Sequence, residues 1–239
     1  MNRKGDRFAS LLAEPSMVRI RSALESHRPV SAPEEEGVRK AAVALIFRLG
    51  GDGALELLFI KRAEYPGDPW SGQIAFPGGR EEGTDSSLAH TAIRETREET
   101  GIDLTRDGQL IGTLDDLRPR TVRLPAIMVR PYVWILDNSE PLVLSQEVAA
   151  AFWFPFAAVE RAESWHEETV LARGVQINTR VFRHEEQVVW GMTERILSQL
   201  TCWYFFRRYC ASSISRSFFG AKSACPPSQA KGWCRKPSQ

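Results

Sequence analysis

The stretch GGREEGTDSSLAHTAIRETREETGI, residues 78–102, places three carboxylates within five positions, at Glu95, Glu98 and Glu99. At about 100° per residue, residues 86–100 set Ala89, Ile93, Thr96 and Thr100 on one narrow, small-to-apolar stripe that can lie on a sheet, which predicts a helix. Glu95, Glu98 and Glu99 then share a neighbouring face. Glutamates three and four residues apart repel one another, each pair destabilising a free helix by about 0.2–0.5 kcal/mol. A bound cation removes that repulsion, and clustered carboxylate oxygens suit a hard ion such as Mg²⁺ or Mn²⁺ together with substrate phosphates. On periodicity alone, a solvated charged face is the favoured reading. Arg94 is placed to orient Glu98, or to form an ordinary i,i+4 surface pair. Gly78 and Gly79 follow Pro77 where either a simple turn or the close approach of a ligand requires glycine.

Taken together, Gly79, Asp85, Arg94, Glu95, Glu98, Glu99 and Gly101 resemble the signature box of the Nudix hydrolases. Fourteen residues separate Gly79 from Arg94, one more than in the general family pattern, and Asp85 stands where that pattern has glutamate. Both features resemble the coenzyme A pyrophosphatase subgroup. So does the upstream segment LLFIKRAEYPGDPWSGQIAFPGG, residues 57–79, in which Leu57, Leu58, Arg62, Gly72, Phe76, Pro77, Gly78 and Gly79 fit that subgroup's pattern. Its loop 63–71 is one residue longer and lacks the internal arginine. The resemblance implies an α/β/α sandwich with a mixed β-sheet between helices.

It also implies a metal-dependent pyrophosphatase. Glu95, Glu98 and Glu99 would hold Mg²⁺ or Mn²⁺, Glu98 or the downstream Glu147 would take a proton from water, Arg94 would orient Glu98, and Arg62, Gly78 and Gly79 would contact the substrate. Coenzyme A or a CoA ester, cleaved to 3′,5′-ADP and 4′-phosphopantetheine, is the substrate that the subgroup suggests. ADP-ribose, NADH, a dinucleoside polyphosphate and an RNA end stay open as alternatives, as does a catalytically silent nucleotide sensor. Outside the resemblance, Glu147 reads equally well as a solvent-facing glutamate. Arg62, Arg118 and Arg120 have the planar donors that suit phosphate, although each taken alone reads better as an ordinary surface arginine. Trp70 and Trp153 are expected in the core rather than against a base. His27, His90, His166 and His184 show no ligand spacing and are assigned no chemistry.

With 239 residues, 43% of them hydrophobic, the chain can bury a full core. No apolar run approaches the roughly 18–20 residues of a membrane span, and the first twenty residues lack the apolar stretch of a secretory signal. A soluble cytoplasmic protein with no membrane or nucleic-acid partner is expected, with a small-molecule nucleotide as substrate and a homodimer among the forms left open. The net charge of +1 hides an asymmetry: 23 basic and 30 acidic residues precede residue 195, and eight basic and no acidic ones follow. Cys202, Cys210, Cys225 and Cys234 all fall in this last part, without zinc-type spacing. The expected organisation is an N-terminal helix and connector over 1–37, a hydrolase domain over 38–200, and a basic Cys/Ser-rich tail over 201–239 that is disordered or non-native.

Within the domain, 41–48 and 55–61 read as strands flanking the GGDG turn, a hairpin signal. Further strands are predicted at 109–114, 124–136 and from 148, with a late hairpin over 175–183 and 187–189. Helices are predicted at 17–26 and 192–200, and the Pro/Glu-rich segment 28–37 reads as a surface connector.

Overall fold

The segment RKAAVALIFRL forms β1 (Arg39–Leu49), whose alternate side chains enter two different cores. Ala41, Leu45 and Phe47 face one cluster, and Ala42, Ala44 and Ile46 the other. β6 (Ile127–Leu136) does the same, with Ile127, Val129, Val133 and Ile135 on the first side and Met128, Tyr132, Trp134 and Leu136 on the second. Strands buried on both faces read as nearly continuous apolar runs, and β1 and β6 pair in parallel at the centre of the sheet. The computed structural model describes residues 3–68, 70–119, 126–137, 140–172 and 174–210, with 3–7 and 203–210 described through their backbone.

β2 (Leu55–Arg62) returns antiparallel to β1 across a tight turn closed by Gly50 N–H donating to Ala54 O at 2.8 Å. Arg48 and Glu56, opposite each other on the two strands, form a 2.7 Å ion pair. The remaining strands of the sheet are β3 (Ile74–Ala75), β4 (Gly78–Arg80), β5 (Gly108–Thr113) and β7 (Val148–Pro155). The main path runs β3-β2-β1-β6-β5, with β4 also pairing β1 and β7 pairing β2. α3 (Leu88–Thr100) covers the second face, together with Ile102 and Leu104 of the short α4 (Leu104–Asp107). The first face is covered by α1 (Arg3–Ala13), α2 (Pro15–Ser26), α5 (Phe156–Glu160) and α6 (Gly191–Cys210). The result is the expected α/β/α sandwich around a mixed sheet. A separate three-stranded sheet has the order β10-β9-β8, formed by β8 (Trp165–Ala172), β9 (Val175–His184) and β10 (Gln187–Trp190).

The predicted hairpins over 41–61 and 175–189 are present, with ends extended by a residue or two. β8 was not anticipated: WHEETVLA lies at the periphery with one face largely exposed, the other half-buried and no side chain fully buried, and it has no apolar alternation to betray it. The strand predicted over 124–136 begins at Ile127, and Arg120 lies outside the described residues. The boundary expected after Leu200 falls inside α6, which continues to Cys210 with Thr201 buried; residues from 211 on lie outside the described part. No helix among the described residues is long and apolar enough to cross a membrane.

The N-terminal helix is not an appendage. Glu14 caps α2 by accepting from Met17 N–H at 2.7 Å, and Pro15 starts it where its missing donor costs nothing. Met17 and Ile20 are fully buried in the first cluster. Gly112 lacks the Cβ that would press on Leu24, which lets α2 lie directly on β5. The connector 28–37 is exposed, as expected, but anchored: Asp115 Oδ1 accepts from Val30 N–H at 2.8 Å and contacts His27 Nε2 at 2.7 Å. Gln199 of α6 holds the same aspartate through its backbone, accepting from Asp115 N–H at 3.1 Å and donating to Asp115 O at 3.3 Å. Ile20→Ala is therefore expected to cost about 2–5 kcal/mol in urea unfolding, whereas a residue on a detached arm would cost about 0.5 kcal/mol or less.

Candidate functional site

β1 and α3 meet at the two glycines. Gly78 pairs with Val43 and Gly79 with Ala42, and Ala44 N–H donates to Pro77 O at 2.8 Å. Gly78 has φ +145°, and a Cβ there would collide with the Ala42 carbonyl. At Gly79 a Cβ would run into the Glu95 carboxylate, so glycine is what allows that carboxylate onto the loop. α3 itself is set by Ser87, which accepts from His90 N–H at 3.2 Å, and by Gly101 in the left-handed region at its C-terminal end.

The buried face of α3 is rotated from the predicted stripe. Leu88, Thr91, Ala92, Thr96, Glu99 and Thr100 are buried, and Ala89 and Ile93 lie only half-buried at its edge. This rotation separates the three glutamates. Glu99 turns inward, its side chain 4% exposed, and accepts from Gly78 N–H at 2.9 Å. Glu98 is 59% exposed and accepts from Arg94 at 3.0 Å; it lines a shallow groove on the outer side of α3 with His90, Arg97 and Asp103.

Arg94 makes more contacts than the sequence suggested. Its guanidinium donates twice to Asp85, at 3.1 and 3.0 Å, and also to Arg80 O, Glu95 and Glu98. The Asp85 side chain is fully buried; it further accepts from Glu82 N–H and Thr91 Oγ1, both at 3.0 Å, and contacts His90 Nδ1 at 3.1 Å. Arg94 holds the Asp85 carboxyl well below the usual carboxylate range.

A cavity of about 400 Å³ opens on the other side of the glycine loop, lined by Glu95, Glu99, Glu147, Arg62, Gly78 and Gly79 among others. It gathers six of the eight site residues expected from the sequence and leaves Glu98 and Arg94 outside. Glu147 reaches it because its loop hangs from the end of α3: Val143 N–H donates to Thr100 O at 2.9 Å and Ser145 N–H to Glu99 O at 3.2 Å. Ala63 N–H donates to Glu147 O at 2.8 Å from the other side. Arg62, at the end of β2, forms a 3.1 Å ion pair with Asp68 and stands 3.9 Å from Glu99; among the described residues its buried Nε atom has no hydrogen-bond partner.

Trp70 lines this cavity, half-buried and in neither core cluster, contrary to the core placement expected for it. Trp153 does pack on the second cluster, half-buried under Arg48 at 3.8 Å. Arg118 is taken up by Glu35 at 2.6 and 2.8 Å, away from the cavity. Asp68, Met192, Thr193 and Ile196 also line it and were not singled out in the sequence; they come from an irregular loop and from α6, with no local pattern to mark them.

Burial pushes the Glu99 carboxyl up to about 8, Glu95 and Glu147 adding to the effect while Gly78 N–H and Arg62 oppose it. Burial raises Glu95 as well. Two desolvated acids, Glu95 and Glu99, with the exposed Glu147 lining the same cavity, fit a cation-binding site, although among the described residues no three ligand-type side chains converge on one point.

A family model described as the NUDIX domain matches residues 38–173, more than half of the chain. The protein is a Nudix hydrolase. It is 34% identical over 175 residues to the uncharacterized Nudix hydrolase NudL of Salmonella paratyphi B, an alignment spanning 72% of this chain and 86% of the relative. NudL of Salmonella typhi matches equally. Among solved structures, the Nudix hydrolase is similar to a MutT/nudix family protein from Enterococcus faecalis at 16% identity, covering 89% of this chain and 76% of the other, with a TM-score of 0.46. A C. elegans Ap4A hydrolase is similar at 25% identity, covering 53% and 89%, with a TM-score of 0.42.

Glu99 keeps its proton in the metal-free folded protein over a range where the unfolded chain has lost it, so stability falls as pH rises from about 4.5 towards 8. Thermal melts in chelator across that window should show this decline, with a shallower slope in Glu99→Gln. Arg94→Ala leaves Asp85 buried without its counter-charge and is expected to cost on the order of 3–5 kcal/mol in the same melts.

Proposed function

We propose that this Nudix hydrolase cleaves the diphosphate linkage of a nucleotide-derived small molecule, with coenzyme A or a CoA ester as substrate and 3′,5′-ADP and 4′-phosphopantetheine as the products from CoA. The observation that carries the hydrolytic reading is the desolvated pair Glu95 and Glu99 beside the Gly78–Gly79 loop, with Glu147 lining the same cavity. The likeness of residues 57–79 to the coenzyme A pyrophosphatase pattern supports the choice of substrate.

In this reading Glu95 and Glu99 hold a divalent cation of the Mg²⁺ or Mn²⁺ type, with Glu147 facing it. Such an ion, when bound, neutralises phosphate charge and makes water a better acid. Arg62 offers the diphosphate a guanidinium already fixed by Asp68, with its Nε uncommitted. Gly78 and Gly79 let the substrate backbone approach the sheet without meeting a side chain. Glu147 accepts a proton from the attacking water, with Glu98 as the second candidate. The hydrogen bond from Arg94 to Glu98 is exposed, and such pairs are worth only about 0–1 kcal/mol, so Glu98 can leave it at little cost. Arg94 then acts as a positioning residue for Glu95 and Glu98.

Product identification by mass spectrometry, with Mg²⁺ or Mn²⁺ and a panel of CoA, ADP-ribose, NADH, dinucleoside polyphosphates and nucleoside triphosphates, tests this. Release of 3′,5′-ADP from CoA is expected, and a preference for another diphosphate would overturn the CoA reading while keeping the hydrolase. Glu99→Gln, Glu98→Gln and Glu147→Gln should each lower kcat by about 10² or more. Near-full activity in any of them removes that residue from the mechanism.

A further inference from the structure

The cavity has a second wall that the diphosphate chemistry does not use. On the sheet side it is made by Ala41, Ile127 and Val129, and on the helix side by Met192, Thr193 and Ile196 at the start of α6. Ala41, Ile127, Val129 and Ile196 belong to the first core cluster, and Met192 packs against it, so this wall is where that core opens to the cavity. It carries no charge, in contrast to the carboxylates supplied by α3 and the Glu147 loop.

Thr193 is the polar exception. It is 9% exposed, it lines the cavity, and among the described residues its hydroxyl has no hydrogen-bond partner. The other buried threonines are accounted for differently. Thr91 donates to Asp85, Thr100 to Thr96 O and Thr201 to Ser198 O, while the Thr96 hydroxyl is sealed within the protein. Unlike Thr96, Thr193 lines the cavity, from which solvent or a ligand can supply the partner. A ligand atom placed there would restore the missing hydrogen bond.

We infer that this apolar wall is the subsite for the nucleobase of the substrate, and that Thr193 determines specificity by hydrogen-bonding the edge of the base. A base has two apolar faces and a neutral polar edge, which suits an apolar wall bearing one hydroxyl able both to donate and to accept. Placing the diphosphate at the carboxylate end rests on the proposed hydrolase function; the subsite itself rests on the wall and on Thr193. Threonine and valine are nearly isosteric, so Thr193→Val removes the hydroxyl and keeps the packing, and Thr193→Ser keeps the hydroxyl.

Calorimetric titration of the full chain with ADP and with 4′-phosphopantetheine, both in Mg²⁺, separates the possibilities. Thr193→Val should weaken ADP binding about 3- to 10-fold, with Thr193→Ser within about twofold of the parent and phosphopantetheine affinity unchanged. With a turned-over nucleotide substrate, KM should rise by the same factor in Thr193→Val while kcat holds. Unchanged ADP affinity in Thr193→Val, a loss seen with phosphopantetheine instead, or failure of the parent protein to bind ADP would each overturn the inference. A protein that hydrolyses no diphosphate yet shows the Thr193→Val effect on ADP would sink the hydrolase reading and leave the subsite standing. Should Thr193→Val lower the melting temperature, Thr193→Ala against Thr193→Ser provides the same comparison.

Discussion

The guanidinium of Arg94 lies against a carboxylate from which water is entirely excluded, and the placement of the site follows from that pairing. Asp85 sits on the loop leaving β4, so its two hydrogen bonds from Arg94 close the loop back onto the helix it leads into. A third bond, to Arg80 O, fixes the other end of the same loop. Replacing such an ion pair by apolar groups is often neutral for stability, so its value here is geometric. With Asp85 also taking Glu82 N–H and Thr91 Oγ1, the network is satisfied at every acceptor and leaves α3 one rotational setting. In that setting Glu95 lies beside Gly79, Glu99 points inward and Glu98 points out.

Much of this was legible in the amino-acid order, and the reasons differ by element. β1, β2 and β6 announce themselves because strands covered on both faces must be apolar throughout. α3 was found through its apolar stripe, but the stripe was set one position away from the true buried face. Glu99 is the cause: a glutamate is ordinarily assigned to solvent, and here it occupies a core-facing position because a backbone N–H awaits it. β8 stayed hidden since a peripheral strand with no fully buried side chain needs no apolar alternation. Asp68 and Thr193 were invisible for another reason: they gain meaning only from the packing of loop and helix onto a cavity whose defining residues lie far away in the chain.

The acidic cavity is a place where folding and chemistry pull in opposite directions. Proximity and burial work against the ionised forms of Glu95 and Glu99, and the metal-free protein relieves the conflict at Glu99 by holding a proton near neutral pH. A cation held by Glu95 and Glu99, as proposed, would compete with the proton for the same oxygens. Cation affinity should rise with pH until the last carboxylate has ionised.

His27, Val30 and Gln199 meet at one aspartate, Asp115, which joins the end of α2, the connector and α6 behind the strand pair β5–β6. The segment matched by the family model, 38–173, contains Asp115 but none of these three partners. A fragment cut to those limits would keep every carboxylate of the cavity and lose α1, α2 and α6, and with α6 the helix side of the Thr193 wall. The segment that identifies the family is thus shorter than the part of the chain that packs into its first core.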